Sequence, residues 1–287
     1  MPQVKKRERQ SANNDGSHSR LLSILTLFSI EKPSWTAEEA AAELDVSITT
    51  AYRYFKSLSQ IGLITSLSRG AYMLGPAIIE WDRQIQLCDP MLAAARGVMH
   101  HLIQYAADGS IILLCRRFRD RVLCVHQVFG RGPQEPVSYE RGRPMPLFRG
   151  ATSKVILAFL PRKELRPLFA ANAPEIAKAG LGQTFEQFVA ALKKLRRAGV
   201  AVTNAEVDPG RIGIAAPICN KDGTIQGSLT FVLPSGGADD RLIGRLIPLT
   251  IAGAGEIEAG MIDGDASGRP ETAANADVKQ ARAGTLV

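Results

Sequence analysis

A short segment near the amino terminus places hydroxyl, aromatic and basic side chains at helical spacing. Thr49, Tyr52, Arg53 and Lys56 fall on one face of a helix predicted over 47–60. Such side chains can hydrogen-bond to base edges and phosphates in the major groove of DNA. The pattern indicates a nucleic-acid contact, although the solvated polar face of an ordinary three-helix module has the same composition.

The opposite face of this predicted helix is apolar and indicates a core contact. No acidic residue occurs between Asp45 and Glu80, which favours an approach to phosphates. Ser47 can cap the helix, and Thr50 can serve simply as a hydroxyl at the helix start. The apolar positions are Ile48, Ala51, Phe55 and Leu58, and Tyr54 is expected to be packed. The predicted DNA-binding residues are Ser47, Thr49, Thr50, Tyr52, Arg53, Lys56 and Arg69.

The neighbouring elements predict a winged helix-turn-helix. An apolar stripe over 19–29 indicates a first helix, and Thr36 with Glu39 forms the capping box of a second helix that ends near Leu44. Trp35 precedes this cap, where a hydrophobic staple belongs. Predicted strands over 63–65 and 71–74 flank a basic tip at Arg69, which suits a wing that contacts a phosphate or the minor groove.

A second set of residues could bind a small anion. The helix predicted to open at Gly150 offers free amides and a positive dipole end, and Arg149 adds a cation beside it. A small carboxylate fits this site, and a capped surface helix with a solvated arginine is the alternative. Glu206 is predicted in a strand as a structural hydrogen-bond acceptor, and the sheet face to which Thr230 points is left open.

The elements around this second site predict an α+β domain. A helix over 76–107 breaks near Asp89-Pro90, and hairpin turns are predicted at Arg119-Asp120 and Asp222-Gly223. The predicted strands are 110–117, 121–129, 200–206, 212–219 and 224–233; the predicted helices are 151–160, 185–198 (ended by Gly199) and 239–261; and 130–146 is a predicted loop.

Length and composition set the remaining bounds. The 287 residues suit two domains, with 45% hydrophobic and 22% charged residues. A net charge of +7 suggests an anionic partner, either nucleic acid or a membrane surface. The sequence lacks an apolar run of membrane-spanning length and an apolar stretch behind its charged start, so a cytoplasmic protein without signal peptide or membrane contact is expected. The four scattered cysteines are expected to be reduced and buried, with redox sensing as the alternative.

Enzyme chemistry finds little support in the sequence. The four histidines have no metal-ligand spacing, and His100 and His101 point about 100° apart on a helix, so they cannot share one ion. Neither a P-loop nor a GxGxxG after a strand is present, and no catalytic residue, metal or cofactor is predicted.

Five motifs, in order, resemble the IclR family of bacterial regulators. They are Arg20-Leu-Leu-Ser-Ile-Leu; Val46 to Leu58, with Thr49, Thr50 and Arg53; Gly62-Leu-Ile to Gly75; Gly142-Arg-Pro-Met-Pro-Leu with Ala151, Lys154 and Leu157 to Pro161; and Glu206, Gly210 and Ile214 to Ile218. The resemblance covers about residues 20–261. It departs from the family pattern at Phe148-Arg149-Gly150 and at Ser153, beside the family's ligand pocket, so no relative's ligand is carried over.

This resemblance implies a winged helix-turn-helix joined by a linker helix to a GAF-like effector-binding domain. The predicted division is a disordered arm at 1–17, the DNA-binding domain at 18–75, the linker helix at 76–91, the effector domain at 92–262 and a disordered tail at 263–287. The predicted effector-binding residues are Arg149, Gly150, Ala151, Thr152, Glu206, Gly213 and Thr230.

The predicted function is sequence-specific binding of double-stranded operator DNA by a homo-oligomer, a dimer or a dimer of dimers. A small-molecule effector, anionic and for example a carboxylate, would shift the affinity for the operator. A ligand-independent architectural DNA-binding protein and, further off, a small-molecule-processing enzyme remain the alternatives.

Overall fold

The computed structural model describes residues 17–267, which divide into two compact units with the boundary between Gln86 and Leu87. The predicted disordered arm and tail therefore lie outside the described residues, apart from Ser17 and residues 263–267. Ser17 begins the first helix, and the last helix continues to Ser267, past its predicted end at Met261.

Within residues 17–86, the first unit contains three complete helices, most of a fourth that continues past Gln86, and a small antiparallel sheet. The complete helices are α1 (Ser17–Ser23, extended by a 3-10 turn over Ile24–Thr26), α2 (Ala37–Leu44) and α3 (Ile48–Gln60). The strands are β1 (Trp35–Thr36), β2 (Ile64–Ser66) and β3 (Ala71–Leu74), in the order β1-β3-β2. The predicted helix-turn-helix and hairpin are confirmed, and β1 is an addition too short to be seen in the sequence.

Local capping explains where α2 and α3 begin. Glu39 N donates to Thr36 Oγ1 at 3.2 Å, and Thr36 N donates to Glu39 Oε2 at 3.0 Å, which confirms the predicted capping box. Ser47 Oγ accepts from Thr50 N at 3.2 Å and caps α3. Asp45 adopts a left-handed conformation (φ 54°) that ends α2 and permits the tight turn.

The core of the first unit extends one expectation and corrects another. Trp35 is buried in the same cluster as Ala40 of α2, and it also pairs with Tyr72 across β1 and β3 while its indole Nε1 donates to Leu27 O at 3.0 Å. Ile48 is 55% exposed, because the contribution of α3 to the core begins one turn later, at Ala51. Tyr54 is packed as expected.

The predicted helix over 76–107 is divided as expected. It forms α4 (Ala77–Cys88) and α5 (Pro90–Leu102), followed by a 3-10 turn over Ile103–Tyr105. The Asp89 carboxylate accepts from the amides of Met91 and Leu92 at 2.9 and 3.1 Å, and Pro90 needs no amide partner at the first helical position. The break is therefore a capped helix start.

The second unit is built around one six-stranded antiparallel sheet. Its strands are β4 (Ile111–Phe118), β5 (Arg121–Phe129), β6 (Pro144–Pro146), β7 (Ala201–Asn204), β8 (Arg211–Cys219) and β9 (Ile225–Pro234), in the order β6-β5-β4-β9-β8-β7. Its helices after α5 are α6 (Ala151–Ala158), α7 (Arg162–Lys178), α8 (Phe185–Ala198) and α9 (Asp240–Ser267).

Alternation along the strands produces two cores. Ile111, Leu113 and Cys115 of β4 face a core shared with α6, α7 and α8. Ile112 and Leu114 face the opposite core, which is shared with α5 and α9. Helices thus cover both faces of the antiparallel sheet, and the predicted α+β effector domain is confirmed.

One long helix, α7, has no counterpart in the sequence prediction. Pro167 and Pro174 lie inside it, and its backbone departs from helical geometry at Asn172 (φ −137°). The Asn172 side chain donates to Leu168 O at 2.9 Å, which satisfies a carbonyl near the kink. Interior prolines are evidence against a helix, so the sequence pattern could not indicate this one.

Candidate functional site

The polar face of α3 is open to solvent. The side chains of Ser47, Thr49, Tyr52, Arg53 and Lys56 are exposed, and Thr50 is half-buried. The hydroxyls of Ser47 and Thr50 hydrogen-bond to each other at 2.8 Å, in addition to the capping bond. These two residues therefore stabilise the start of α3, and the other four side chains remain exposed.

An open depression lies between α3 and β3. It has a volume of about 580 Å³ and is lined by Tyr52, Arg53, Lys56, Ser59, Gln60 and Tyr72. The ring of Tyr72 packs edge-on against the buried ring of Phe55, with centroids 5.0 Å apart, which fixes β3 against α3. The predicted residues Tyr52, Arg53 and Lys56 thus line the same depression as three residues that the sequence analysis did not select, which are Ser59, Gln60 and Tyr72.

The remaining predicted contacts lie outside this depression. Ser47 and Thr49 are at the start of α3, and Arg69 is at the tip between β2 and β3. Arg69 (φ 62°) and Gly70 (φ 74°) both adopt left-handed conformations, which turn the chain sharply and leave the Arg69 side chain exposed. The structure therefore places a cation at the predicted wing tip.

An acidic side chain lies against α3, contrary to the argument from the sequence. The Tyr52 hydroxyl donates a hydrogen bond to Glu38 of α2. This bond lowers the pKa of the Glu38 carboxyl and raises the pKa of the Tyr52 phenol. The acid-free interval between Asp45 and Glu80 did not exclude an acid contributed by α2.

Two amides at the start of α6 already have protein side chains as hydrogen-bond partners. Gly150 N donates to Glu206 Oε2 at 3.1 Å, and Lys154 Nζ contacts Glu206 Oε1 at 2.6 Å. Ala151 N donates to Thr203 Oγ1 at 3.1 Å. The Glu206 carboxylate therefore occupies the position at which the sequence predicts the carboxylate of a bound ligand. Glu206 follows β7 and does not lie within a strand, contrary to the prediction.

Two glycines allow this close approach. Gly150 has φ +82°, and a Cβ there would lie 2.8 Å from Val207 Cγ2. A Cβ on Gly213 would lie 3.2 Å from both the Ala151 Cβ and the Thr203 Oγ1. Small residues at these positions let α6 pack directly on β8.

Buried hydroxyls tie α6 to its surroundings. Thr152 Oγ1 donates to Thr230 Oγ1 at 3.0 Å, so Thr230 of β9 points to the α6 face of the sheet. The hydroxyls of Tyr139 and Ser153 lie 2.8 Å apart, and burial raises the pKa of Tyr139. Ser153, which departs from the family pattern, is thus a buried residue that hydrogen-bonds to Tyr139.

These groups line one small cavity. Its volume is about 30 Å³, far below the several hundred Å³ typical of small-molecule sites. Arg149 is exposed, and its guanidinium donates to the Glu206 carbonyl instead of lining the cavity. The lining residues are Val137, Tyr139, Gly150, Ala151, Thr152, Thr203, Glu206, Val207, Asp208, Arg211, Gly213, Thr230 and Val232.

Asp208 and Arg211 are polar lining residues that the sequence analysis missed. Arg211 is 7% exposed and donates to Gly109 O at 2.9 Å, and the Asp208 carboxylate accepts from Ser138 N at 2.9 Å. Both side chains hold distant loops in place. Their partners are far away in the sequence, so no local spacing could have indicated them.

Within residues 17–267, no group of three or more His, Cys, Asp or Glu side chains is arranged to hold a metal ion. None of the helices described there is long and apolar enough to cross a membrane.

The fold defines the class of protein: a winged helix-turn-helix unit is followed by an α+β unit with a cavity at the start of α6. Residues 89–258 match the family model described as bacterial transcriptional regulator IclR C-terminal, and residues 20–72 match a model described as HTH domain. The chain therefore belongs to the IclR family of transcriptional regulators, and it carries a helix-turn-helix DNA-binding domain.

Individual relatives agree with this assignment. The chain is 25% identical over 222 residues to the HTH-type transcriptional regulator KipR of Bacillus subtilis, which covers 76% of this chain and 86% of KipR. It is similar in fold to an IclR transcriptional regulator from Alicyclobacillus acidocaldarius (TM-score 0.69, 20% identity, 85% of this chain and 98% of that one). It is also similar to an IclR homologue from Microbacterium hydrocarbonoxydans complexed with 4-hydroxybenzoate (TM-score 0.64, 16% identity, 86% and 100%).

Proposed function

We propose that this regulator recognises operator DNA with the exposed face of α3 and the tip between β2 and β3. The observation that carries the proposal is the solvent-open depression in which Tyr52, Arg53 and Lys56 come together. Two cations and a phenol at one surface can hold a phosphate while a neighbouring side chain reaches a base edge. Thr49 and Arg69 add exposed contacts on either side, and Ser47 and Thr50 act by capping the helix.

Regulation would come from a small anionic effector at the start of α6. Because Glu206 occupies the Gly150 amide, we propose that an effector carboxylate displaces the Glu206 carboxylate and takes over its contacts with Gly150 and Lys154. The relative complexed with 4-hydroxybenzoate makes small aromatic carboxylates reasonable first probes. Thr152, Thr230 and Gly213 then form the floor of an enlarged cavity.

We further propose that the protein acts in the cytoplasm as a homo-oligomer, a dimer or a dimer of dimers, and that it turns over no substrate. Twofold pairing presents two α3 helices to a palindromic site. An effector that binds two states of the protein unequally changes operator affinity without any chemical step.

The ligand-independent architectural alternative has one observation in its favour, the small volume of the cavity. An architectural protein binds DNA with a strong salt dependence and little sequence preference. Competition between specific and random DNA at several salt concentrations separates the two functions.

The decisive experiment is selection of genomic fragments by the purified full chain, with Arg53→Ala as the test variant. Loss of the Arg53 guanidinium is expected to cost about 1–3 kcal/mol, or roughly 5- to 150-fold in affinity for the selected sites. Arg197→Ala in α8 removes the same charge from an exposed helix of the other unit and is the matched control. Flat enrichment, or equal loss in both variants, would contradict recognition by α3.

A further inference from the structure

Two cysteines face each other across the β4–β5 hairpin. Cys115 is the register partner of Cys124, and the register shifts just before this pair, which leaves Val125 as the extra residue of a bulge. Both side chains belong to the core between the sheet and helices α6 to α8, and they are 0% and 1% exposed. Side chains directly opposite each other on one sheet face have Cβ atoms about 4.5–5.5 Å apart.

Burial, together with the Cys124 side chain, raises the pKa of the Cys115 thiol, and this effect of Cys124 agrees with the closeness that the register implies. Cys124 Sγ donates to His126 O at 3.2 Å. A disulfide needs Cβ atoms about 3.5–4.5 Å apart, so the strands must approach by about 1 Å. A bulged position bends more readily than a regular ladder, and the resulting bond would be a strained one that is easily reduced.

We propose that Cys115 and Cys124 form a reversible modification site, at which a hydroperoxide joins the two sulfurs in a cross-strand disulfide within the folded effector domain. This inference is independent of the DNA and effector proposals. It takes up the redox alternative left open by the sequence, and it assigns that alternative to two of the four cysteines.

The reaction balances with the hydroperoxide as the only oxidant. The Cys124 sulfur attacks the peroxide, the O–O bond breaks, and the departing oxygen takes a proton to leave as an alcohol or as water. The Cys115 sulfur then attacks the resulting sulfenic acid, the S–O bond breaks, and water leaves as the S–S bond forms. Two thiols are oxidised by two electrons, and one peroxide is reduced.

The structure favours Cys124 as the first sulfur to react. Burial raises the pKa of the Cys115 thiol well above its usual range, which makes its thiolate scarce at neutral pH. Cys124 lies on β5, whose outer neighbour β6 has only three residues. On this outer side, Cys124 is paired through an isolated β-bridge to Arg141, in which Gly142 N donates to Cys124 O at 2.9 Å.

A local opening of the segment 137–146 would therefore expose Cys124 while β4, β8 and β9 stay paired. Because each reaction waits for this opening, oxidation is expected to be slower than that of the exposed Cys88. The same segment carries Tyr139, which packs in the same core and lines the effector cavity. The disulfide thus forms in the layer that supports one wall of that cavity.

The test uses the full chain with Cys88→Ser and Cys219→Ser, which removes the exposed and the half-buried thiol. The folded protein is treated with hydrogen peroxide, quenched, unfolded, alkylated and digested with trypsin. Cleavage at the intervening arginines separates the peptide 97–116, which holds Cys115, from the peptide 122–131, which holds Cys124. We expect complete loss of both alkylation sites and a linked peptide pair that dithiothreitol separates.

The control adds Cys115→Ala to the same background. Cys124 then lacks a partner, and we expect a sulfenic acid on 122–131 that dimedone traps, with no linked pair. The proposal is overturned if no linked pair forms even when the peroxide treatment is continued well beyond the time that fully oxidises Cys88 in the native sequence. It is equally overturned if the pair appears only after urea has unfolded the protein, because the pair would then be inaccessible in the native state.

Discussion

Glu38 and Glu206 are single carboxylates that lie against groups predicted to meet an external anion. Glu206 accepts hydrogen bonds from the Gly150 amide and from Lys154 at the start of α6. Glu38 accepts a hydrogen bond from the Tyr52 hydroxyl on α3. Any phosphate or effector carboxylate approaching these groups meets a negative charge that is already in place. Both acids are therefore expected to weaken binding of an anion at their own site.

Replacing Glu206 tests this competition in the effector cavity. Glu206→Gln keeps an oxygen that accepts from Gly150 and removes the charge paired with Lys154. We expect affinity for small carboxylates, with 4-hydroxybenzoate as the first probe, to rise about tenfold when one repulsive charge is removed. Isothermal titration calorimetry of the full chain measures the change.

Glu164→Gln is the control, because Glu164 pairs with Arg117 at the surface and does not line the cavity. Unchanged or weaker carboxylate binding by Glu206→Gln would show that the anion does not replace Glu206.

Replacing Glu38 tests whether a carboxylate beside α3 weakens the binding of DNA. Glu38→Gln removes a negative charge beside Tyr52 and leaves a neutral, weaker acceptor for its phenol, which competes less with a DNA phosphate. We expect operator affinity to rise roughly threefold at low salt and the gain to shrink as salt increases. Fluorescence anisotropy at several salt concentrations measures it, with Glu186→Gln in α8 as the charge-matched control. A fall in affinity would mean that the Glu38 bond positions Tyr52 productively.

The predicted DNA contacts and effector contacts differ in what a sequence can reveal. The spacing of Tyr52, Arg53 and Lys56 along one helix is local, so periodicity was enough to group them. The bond between Glu38 and Tyr52 depends on how α2 crosses α3, and the contacts of Arg211 depend on loops about a hundred positions away in the chain. These arrangements follow from tertiary packing, which leaves no pattern in a single sequence.

Helix boundaries were predictable wherever the capping residues are local. Thr36 and Ser47 begin α2 and α3 as expected, and Gly199 ends α8 in a left-handed conformation. Strands β1 and β6 are too short to show alternation, and the prolines of α7 are misleading because packing against the core overrides their local effect.

The entry into α6 depends on one glycine, which a paired substitution tests. Gly150→Ala puts a Cβ at left-handed φ and 2.8 Å from Val207, and we expect it to destabilise the second unit by about 2 kcal/mol. Gly244→Ala, on α9, meets open space at an exposed helical position, and we expect stabilisation of about 0.5–1 kcal/mol. Urea unfolding of the full chain distinguishes the two, and a shift of the same sign in both would refute the strain argument.

On the scale of the whole molecule, α4 carries an apolar surface that no other part of residues 17–267 covers. No residue of α4 is buried, and Trp81 and Ile85, which lie one turn apart on the same face, are 47% and 53% exposed. Contiguous exposed apolar side chains on a soluble protein commonly mark an interface. This observation supports the proposed homo-oligomer, with a second copy of the chain covering α4.

An aspartate on this surface tests the assembly. We expect Ile85→Asp to shift the protein from oligomer to monomer at micromolar concentration, because pairing would bury an unpaired charge. Binding to a palindromic site should weaken along with the assembly. Sedimentation velocity measures the first effect. Ile30→Asp, at a position 94% exposed in the first unit, should leave the assembly intact.

The burial of α6 limits which substitutions can change the ligand that the second unit binds. Seven of its eight residues are buried, and they pack against the sheet and α8, so most substitutions there would unfold the domain before they changed its ligand. The opposite walls of the cavity come from 137–139 and 203–208, most of which is outside helices and strands and tolerates change better. Divergence of effector preference among close relatives should therefore be concentrated in these two segments, with α6 as the constant frame.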